Sequence, residues 1–311
     1  MMRLASVQEI TQDMFEPLHI GAGEGEAITR PPISYWREVV RRFRRNRLAV
    51  VGLVVLIALV AFAFLGPFFT PWDPREQSLF DTNKPPSREH WFGTDNLGRD
   101  MFARLCYGIK VSLFVGIMAA LIDLVVGVIY GGISGYFGGI VDDVMMRIVD
   151  ILYGIPYIIV AILLLVVIGP GLWSVILAMT ITGWVGMARL VRGQVLQLKE
   201  QEFVLAARAL GASHLGIILR HLIPNAMGVI IVQMTFTIPN AIFGEAFLSF
   251  IGLGVPLPLA SLGTMANDGY QYLRIYPYQL IIPALAIIMT MLGFNFVGDG
   301  LRDALDPKLR R

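Results

Sequence analysis

Residues 199–225 read KEQEFVLAARALGASHLGIILRHLIPN, between two long apolar runs. This stretch carries Arg208, His214, Arg220 and His221. It cannot rest in hydrocarbon, where a charged side chain costs about 3 kcal/mol on insertion scales. Glu202 to Leu210 favours a helix, and Ala206 and Ala207 keep its surface flat enough for a close partner. Gly211 is free to take positive φ and end that helix, and Ser213 is placed to cap another. Leu215, Ile218, Leu219 and Leu222 recur at i, i+3, i+4 and i+7, one amphipathic face. Pro224 either stops the second helix or starts the next apolar run. The expectation is a pair of short helices set at an angle, an elbow held between two membrane spans. The alternative is an ordinary loop lying on lipid headgroups.

The 311 residues are 56% hydrophobic and 15% charged, with mean hydropathy +0.66. A soluble domain is nearer half apolar and a quarter charged. The excess sits in runs at about Leu48–Phe69, Val111–Ile133, Ile148–Ile168, Leu172–Val191, Ala226–Ile251 and Tyr278–Val297. The first spans roughly 33 Å as a helix, enough for a bilayer core of about 30 Å. It is too long, and begins too late, for the rival reading as a signal peptide. The fold class is therefore an all-α polytopic membrane protein with about six transmembrane helices. Gly131 to Gly135 and Gly138-Gly139 read as a loop, and Gly169-Pro170-Gly171 as a tight hairpin turn.

Around those runs the chain divides into a tail over 1–47, a first span over 48–69 and an outer segment over 70–107. A five-helix core then covers 108–298 with the elbow at 199–224, and a short tail covers 299–311. In the tail, YWREVVRRFRRNR reads as an amphipathic helix on the membrane surface or as a plain positive flank. The outer segment ends in GTDNLGRDMFARL, a turn capped by Asp95 or Asn96 followed by a short helix. Placing the N-terminus inside puts 18 of the 25 Lys and Arg on the inner side, together with the elbow and the C-terminus.

Several chemistries are excluded. The single cysteine, Cys106, rules out an intrachain disulfide and a cysteine metal cluster. The four His form no pair at i, i+4 spacing, so no metal site is expected. A net charge of +2 gives no case for nucleic acid. None of the four Lys follows Gly, so the chain has no phosphate-binding loop, and no Ser/His/Asp arrangement points to an enzyme.

In its order the elbow resembles the cytoplasmic "EAA" loop of bacterial ABC-importer permeases. Ala206, Ala207, Gly211 and Pro224 fall in the motif's register, whereas the motif Glu is Leu205, its Ile is His221 and its Leu is Ile223. Glu202, one turn earlier, is placed to supply the missing carboxylate. A wider set of stretches is similar to the C-type permease of oligopeptide and dipeptide importers: RRNRLAVVGLVVL, WFGTDNLGRDMFARLCYGIKVSL, AARALGASHLGIILRHLIPN, EAFLSFIGLGVPLP and the DPKLR tail. The resemblance implies a multi-pass subunit of the bacterial inner membrane. Its implied partners are a second permease, two cytoplasmic ATPases carrying ATP and Mg, and an extracytoplasmic peptide-binding protein. It also implies an ATPase-docking surface on Glu202, Ala206, Ala207, Arg208, Gly211, Ala212, Ser213, His214 and Pro224. Nickel-complex importers belong to the same wide family and form the nearest alternative.

Two acids fall within apolar runs, Asp123 and Glu245. Intramembrane ionisable groups are functional candidates, and these two are candidates for the translocation path, or else helix-to-helix hydrogen-bonding groups. Asp142, Asp143, Arg147 and Asp150 read as a structural cluster at the inner end of the third run. A self-sufficient ion-coupled transporter would need paired charges or an inverted repeat. A membrane scaffold would tolerate loss of both acids.

Overall fold

The computed structural model describes residues 35–256 and 258–305. The expectations for the first 34 residues and for 306–311 lie outside the described residues. The chain divides into two units between Glu38 and Val39. The described part of the first unit is only the opening turn of helix α1 (Tyr35–Arg45). The second unit holds everything else, and no regular strand occurs among its described residues.

Helix α2 (Arg47–Leu65) starts where the Asn46 side chain accepts from the Ala49 N–H at 3.2 Å. A short 3₁₀ turn, Gly66–Phe69, finishes this span. Its few buried positions are small: Ala49, Gly52 and Ala63. They let α2 lie close against α11 (Tyr278–Leu305), where a Cβ on Gly52 would stand 2.7 Å from the Phe296 Cβ. Close backbone approach through small residues is how helices pack where lipid offers no hydrophobic drive.

Helix α3 (Met101–Phe137) corrects three expectations. It is one helix of 37 residues, so no separate short helix precedes a span beginning at 111, and the 107/108 boundary falls inside it. Its cap is Asp100, whose Oδ1 accepts from Ala103 N–H at 2.7 Å, and not Asp95 or Asn96. The helix also runs through Gly131–Gly135, which is no loop; the chain turns at Gly138 and Gly139, both at positive φ. Gly127, Gly131 and Gly135, four apart, press on α6 (Leu172–Leu198). Side chains there would stand 2.6 Å from Met187 Cβ, and 2.9 Å from the Arg192 N and O respectively. A run of glycine inside an apolar helix meant contact, because in a membrane a glycine face is a groove for another backbone.

The third apolar run is broken. α4 (Gly139–Gly154) and α5 (Tyr157–Ile168) meet at 83°. Pro156 has no N–H to offer and holds Ile155 extended, at φ −95° and ψ 125°. α5 then turns through Gly169, at φ 92°, into α6. Among the described residues five helices are long and apolar enough to cross a membrane, and six spans result if the bent pair counts as one.

Beyond the elbow, α9 (Ile223–Phe250) continues through Pro239 without a break, and α10 (Leu262–Gln271) is a short helix capped by Ser261 and Thr264. α10 leads to α11. The C-terminal ends of α3 and α6 meet where Lys199 Nζ donates to Gly135 O at 3.0 Å, so the elbow lies at that face. The end of the first span meets the start of α3, where Gly66 lies against Cys106, so the α2 start lies at the elbow's face together with the α11 end, where Gly300 abuts Ala49. The segment between α2 and α3 lies at the opposite face.

That segment folds into a compact cap. Asp95 Oδ1 accepts from Leu97 N–H (2.8 Å) and Arg99 N–H (3.0 Å), and Oδ2 accepts from Arg99 Nε (2.7 Å) and from Arg104. Both guanidinium groups reach on to Asp268 Oδ2 of α10, each at 3.1 Å. Gln279 Nε2 of α11 donates to Asn83 Oδ1 (2.9 Å) and Thr94 O (3.0 Å). At the rim Lys84 pairs with Asp81, holding the Asp81 carboxyl below its ordinary value and the Lys84 ammonium above its own.

Candidate functional site

The elbow begins with α7 (Glu202–Ala209). Of its residues only Val204 is buried, packed with Ile217 and Leu222 over Val195 of α6. Its end is a Schellman motif: Ala212 N–H bonds to Ala207 O (3.1 Å) and Gly211 N–H to Arg208 O (3.0 Å), with Gly211 at φ 81°. A Cβ on Gly211 would meet nothing within 4 Å, so the constraint there is backbone conformation and not space. Ser213 Oγ accepts from Gly216 N–H at 3.2 Å and starts α8 (His214–Ile217).

The second arm is not a separate short helix. α8 passes through a π-helical turn, Ile218–Leu222, directly into α9. Pro224 does not stop the arm; it stands in the first turn of α9, which carries the arm on as one span. A proline ring clashes with the carbonyl four residues back, and a wider turn relieves that clash. Ile223 N–H accordingly bonds to Ile218 O, and Asn225 Nδ2 takes the His221 carbonyl at 2.6 Å. The arm is therefore stiffly continuous with a membrane span.

The amphipathic face divides in two. Ile218 and Leu222 are buried with Ile217, whereas Leu215 and Leu219 point to the outside at 65% and 56% exposure. Leu205 and Leu210 are exposed beside them. Along the second arm, beside the turn that starts it, lies a recess of about 380 Å³ lined by Ala212, Ser213, Leu215, Leu219, Arg220 and His221. Glu202, Ala206, Arg208 and Pro224 are exposed, Ala207 half-buried. Leu205, at the motif Glu position, presents an apolar group outward.

What fixes this outward face was not anticipated. Tyr136, at the end of α3, is 6% exposed and lies under both arms. Its hydroxyl pairs with His214 Nδ1 at 2.7 Å, and the Arg208 guanidinium stands 5.8 Å from its ring centre. The only signal in the sequence was an aromatic pair, Tyr136-Phe137, just before two glycines. The acidic cluster contributes as well. Arg192 grips Asp142 with Nε–Oδ1 at 2.6 Å and Nη2–Oδ2 at 2.5 Å, and Ser134 Oγ donates to the same carboxylate at 2.5 Å. Arg189 holds Asp150 at 2.6 Å. Helix α4 is tied in this way to α3 and α6 just where the elbow leaves them.

The two intramembrane acids lie apart from the elbow. Glu245 is wholly enclosed: Ser112 Oγ and Ser249 Oγ each donate to it at 2.7 Å, and Ser112 Oγ accepts from Leu262 N–H at 3.2 Å. It joins α3, α9 and α10. Asp123 is 5% exposed, lies against Gly183 of α6, and its Oδ1 has no hydrogen-bond partner among the described residues. No group of three or more His, Cys, Asp or Glu suited to a metal occurs among the described residues.

Comparison with known proteins places this architecture. Residues 34–86 match the N-terminal TM domain of oligopeptide transport permease C. The chain is 54% identical over 305 residues to the oligopeptide transport system permease protein OppC of Bacillus subtilis, covering 98% of this chain and 100% of that one. It is 56% identical over 289 residues to DppC, the dipeptide transport system permease protein of the same organism, covering 93% and 90%. It is 42% identical over 276 residues to the glutathione transport system permease protein GsiD of Escherichia coli, covering 88% and 91%. Among solved structures, the inward-facing MetNI methionine ABC transporter superposes with TM-score 0.51 at 23% identity, over 66% of this chain and 98% of that one, a likeness of fold. Residues 124–311 match the model of the binding-protein-dependent transport system inner membrane component, and the chain belongs to that family.

Proposed function

We propose that this chain is the permease subunit of an ATP-driven importer of dipeptides and oligopeptides, lining the path together with a second permease chain. The peptide names of relatives at 54–56% identity support this substrate class over nickel complexes. ATP and Mg belong on two cytoplasmic ATPase subunits, and an extracytoplasmic binding protein delivers the peptide. The chain itself catalyses nothing. The elbow face is cytoplasmic, as the Lys and Arg bias requires.

The observation that carries the reading is the pair of exposed leucines, Leu215 and Leu219, on an arm continuous with a 28-residue span. An ATPase surface that covers them pushes on α9 directly, with Tyr136 as the bearing beneath. Leu205 and Leu210 extend the contact, while Glu202 and Arg208 frame it with charge. Of the two acids, Glu245 has its oxygens occupied and acts as a joint. Asp123, with a spare oxygen, is the one assigned to the path.

The test is a Leu215→Glu/Leu219→Glu chain expressed with its candidate partner subunits. The ATPase should no longer co-purify, while the variant still inserts and holds the companion permease. Full retention of the ATPase would place docking elsewhere.

A further inference from the structure

At the face opposite the elbow, a recess of about 360 Å³ opens between the end of the first span and the start of α3. Its walls are aromatic: Phe69, Trp72, Trp91 and Phe102. They are fixed in place. Trp72 Nε1 donates to Glu89 O at 3.1 Å and its ring lies 4.7 Å from that of His90. Trp91 meets Phe102 edge-on at 4.9 Å. His90 is in turn held by Asp100 Oδ2 at 2.9 Å, and both are buried. A site with walls this well supported does not pay to form when a ligand enters.

The rim carries adjacent opposite charges, Arg88 and Glu89, both exposed. Arg88 has no ion-pair or hydrogen-bond partner among the described residues, although Glu89 is next to it in the chain. Below the recess, exposed Phe64, Leu65, Phe68 and Phe69 continue the lipid-facing surface of α2 up to its mouth. A cation, an anion and indole faces at the top of an apolar ridge match a molecule with a phosphate, an amine and a hydrocarbon tail. Guanidinium binds phosphate with paired donors, and an ammonium is held by a carboxylate and by indole faces.

We propose that this recess binds the headgroup of a membrane phospholipid bearing a primary amine, with the phosphate at Arg88 and the amine between Glu89 and the indoles. The apolar ridge makes the source a membrane lipid and not a free phosphate ester. A peptide is also zwitterionic, but it has no use for Phe64, Leu65 and Phe68.

The test uses the full-length chain with its co-purifying subunits, delipidated and then titrated with phosphatidylethanolamine or phosphatidylglycerol of the same acyl chains, with bound lipid counted by native mass spectrometry. The intact chain should hold phosphatidylethanolamine about fivefold more tightly, and Arg88→Gln should weaken it about tenfold. Glu89→Gln should remove the preference between the two lipids without lowering the total bound. Arg88 and Glu89 are exposed, so each variant should keep the parent's melting midpoint. Equal binding by the parent and Arg88→Gln overturns the proposal. So does displacement of the lipid by a tripeptide, which would make the recess a solute subsite, or by free phosphoethanolamine at matching concentration.

Discussion

The cap and the elbow are both polar structures at opposite faces of one helical bundle, and they dispose of their surfaces in opposite ways. In the cap, Asp95, Arg99 and Arg104 are each at most 2% exposed and close on one another and on Asp268. The elbow is anchored from below by Tyr136, Val204 and Leu222, while Leu205, Leu210, Leu215 and Leu219 face outward. The cap pairs its charges within itself, although Arg99 Nη1 and Arg104 Nε have no hydrogen-bond partner among the described residues. The elbow is stiff but leaves apolar side chains uncovered, as the proposed docking requires.

The sharpest way to break the comparison is Asp95→Ala. It leaves two buried guanidinium groups short of a carboxylate and should cost about 3–5 kcal/mol. A fall in apparent melting midpoint and in accumulated chain would follow. An unchanged midpoint would mean that the cap is not closed as described.

Next in size is Glu245→Ala, which strands the Ser112 and Ser249 hydroxyls inside the bundle at a cost of about 1–3 kcal/mol. Asp123→Asn is the matched control. It should leave the melting midpoint near the parent value and lower peptide uptake in the assembled transporter. The reverse pattern would exchange the roles of the two acids.

Asp142→Asn sharpens the elbow side. It breaks the two-point grip of Arg192 and should cost about 1–2 kcal/mol, discounted because Arg192 is about a third exposed. Its larger signature should be ATP hydrolysis that continues while uptake falls, since α4 would no longer brace the elbow. Tight coupling in the variant would remove Asp142 from that role.

The smallest effect belongs to the exposed Asp81–Lys84 pair. The Asp81 carboxyl is lowered from an ordinary 3.8, so its contribution is present above that value and is lost as pH falls through the lower folded value. Lys84 is raised from 10.5, so its contribution holds below that value and disappears as pH rises through the higher one. Between those limits Asp81→Asn should shift the melting midpoint by a small constant amount. A shift that varied across neutral pH would assign the dependence to another group.

Much of this was legible in the sequence, for reasons that can be named. Hydrocarbon demands long apolar helices, so the spans at 47–69, 172–198 and 278–305 stand close to where hydropathy puts them. Gly211 and Ser213 are local devices that act within a few residues, and they act as their chemistry requires. The Gly131–Gly135 run was misread as a loop because glycine signals a turn in water and a contact groove in lipid. Pro156 stands at an 83° break in its span whereas Pro239 does not interrupt α9, so a proline within an apolar run does not by itself say whether the helix breaks.

The sequence by itself determined an all-helical membrane chain with a polar elbow, because those properties follow from backbone hydrogen bonding in lipid and from short-range capping. Only the tertiary structure decided which leucines of the elbow face outward, that Tyr136 bears both arms, and that Arg99 and Arg104 share Asp95 with Asp268. Those depend on groups 72 to 169 positions apart in the chain meeting in space, and no local pattern encodes such a meeting.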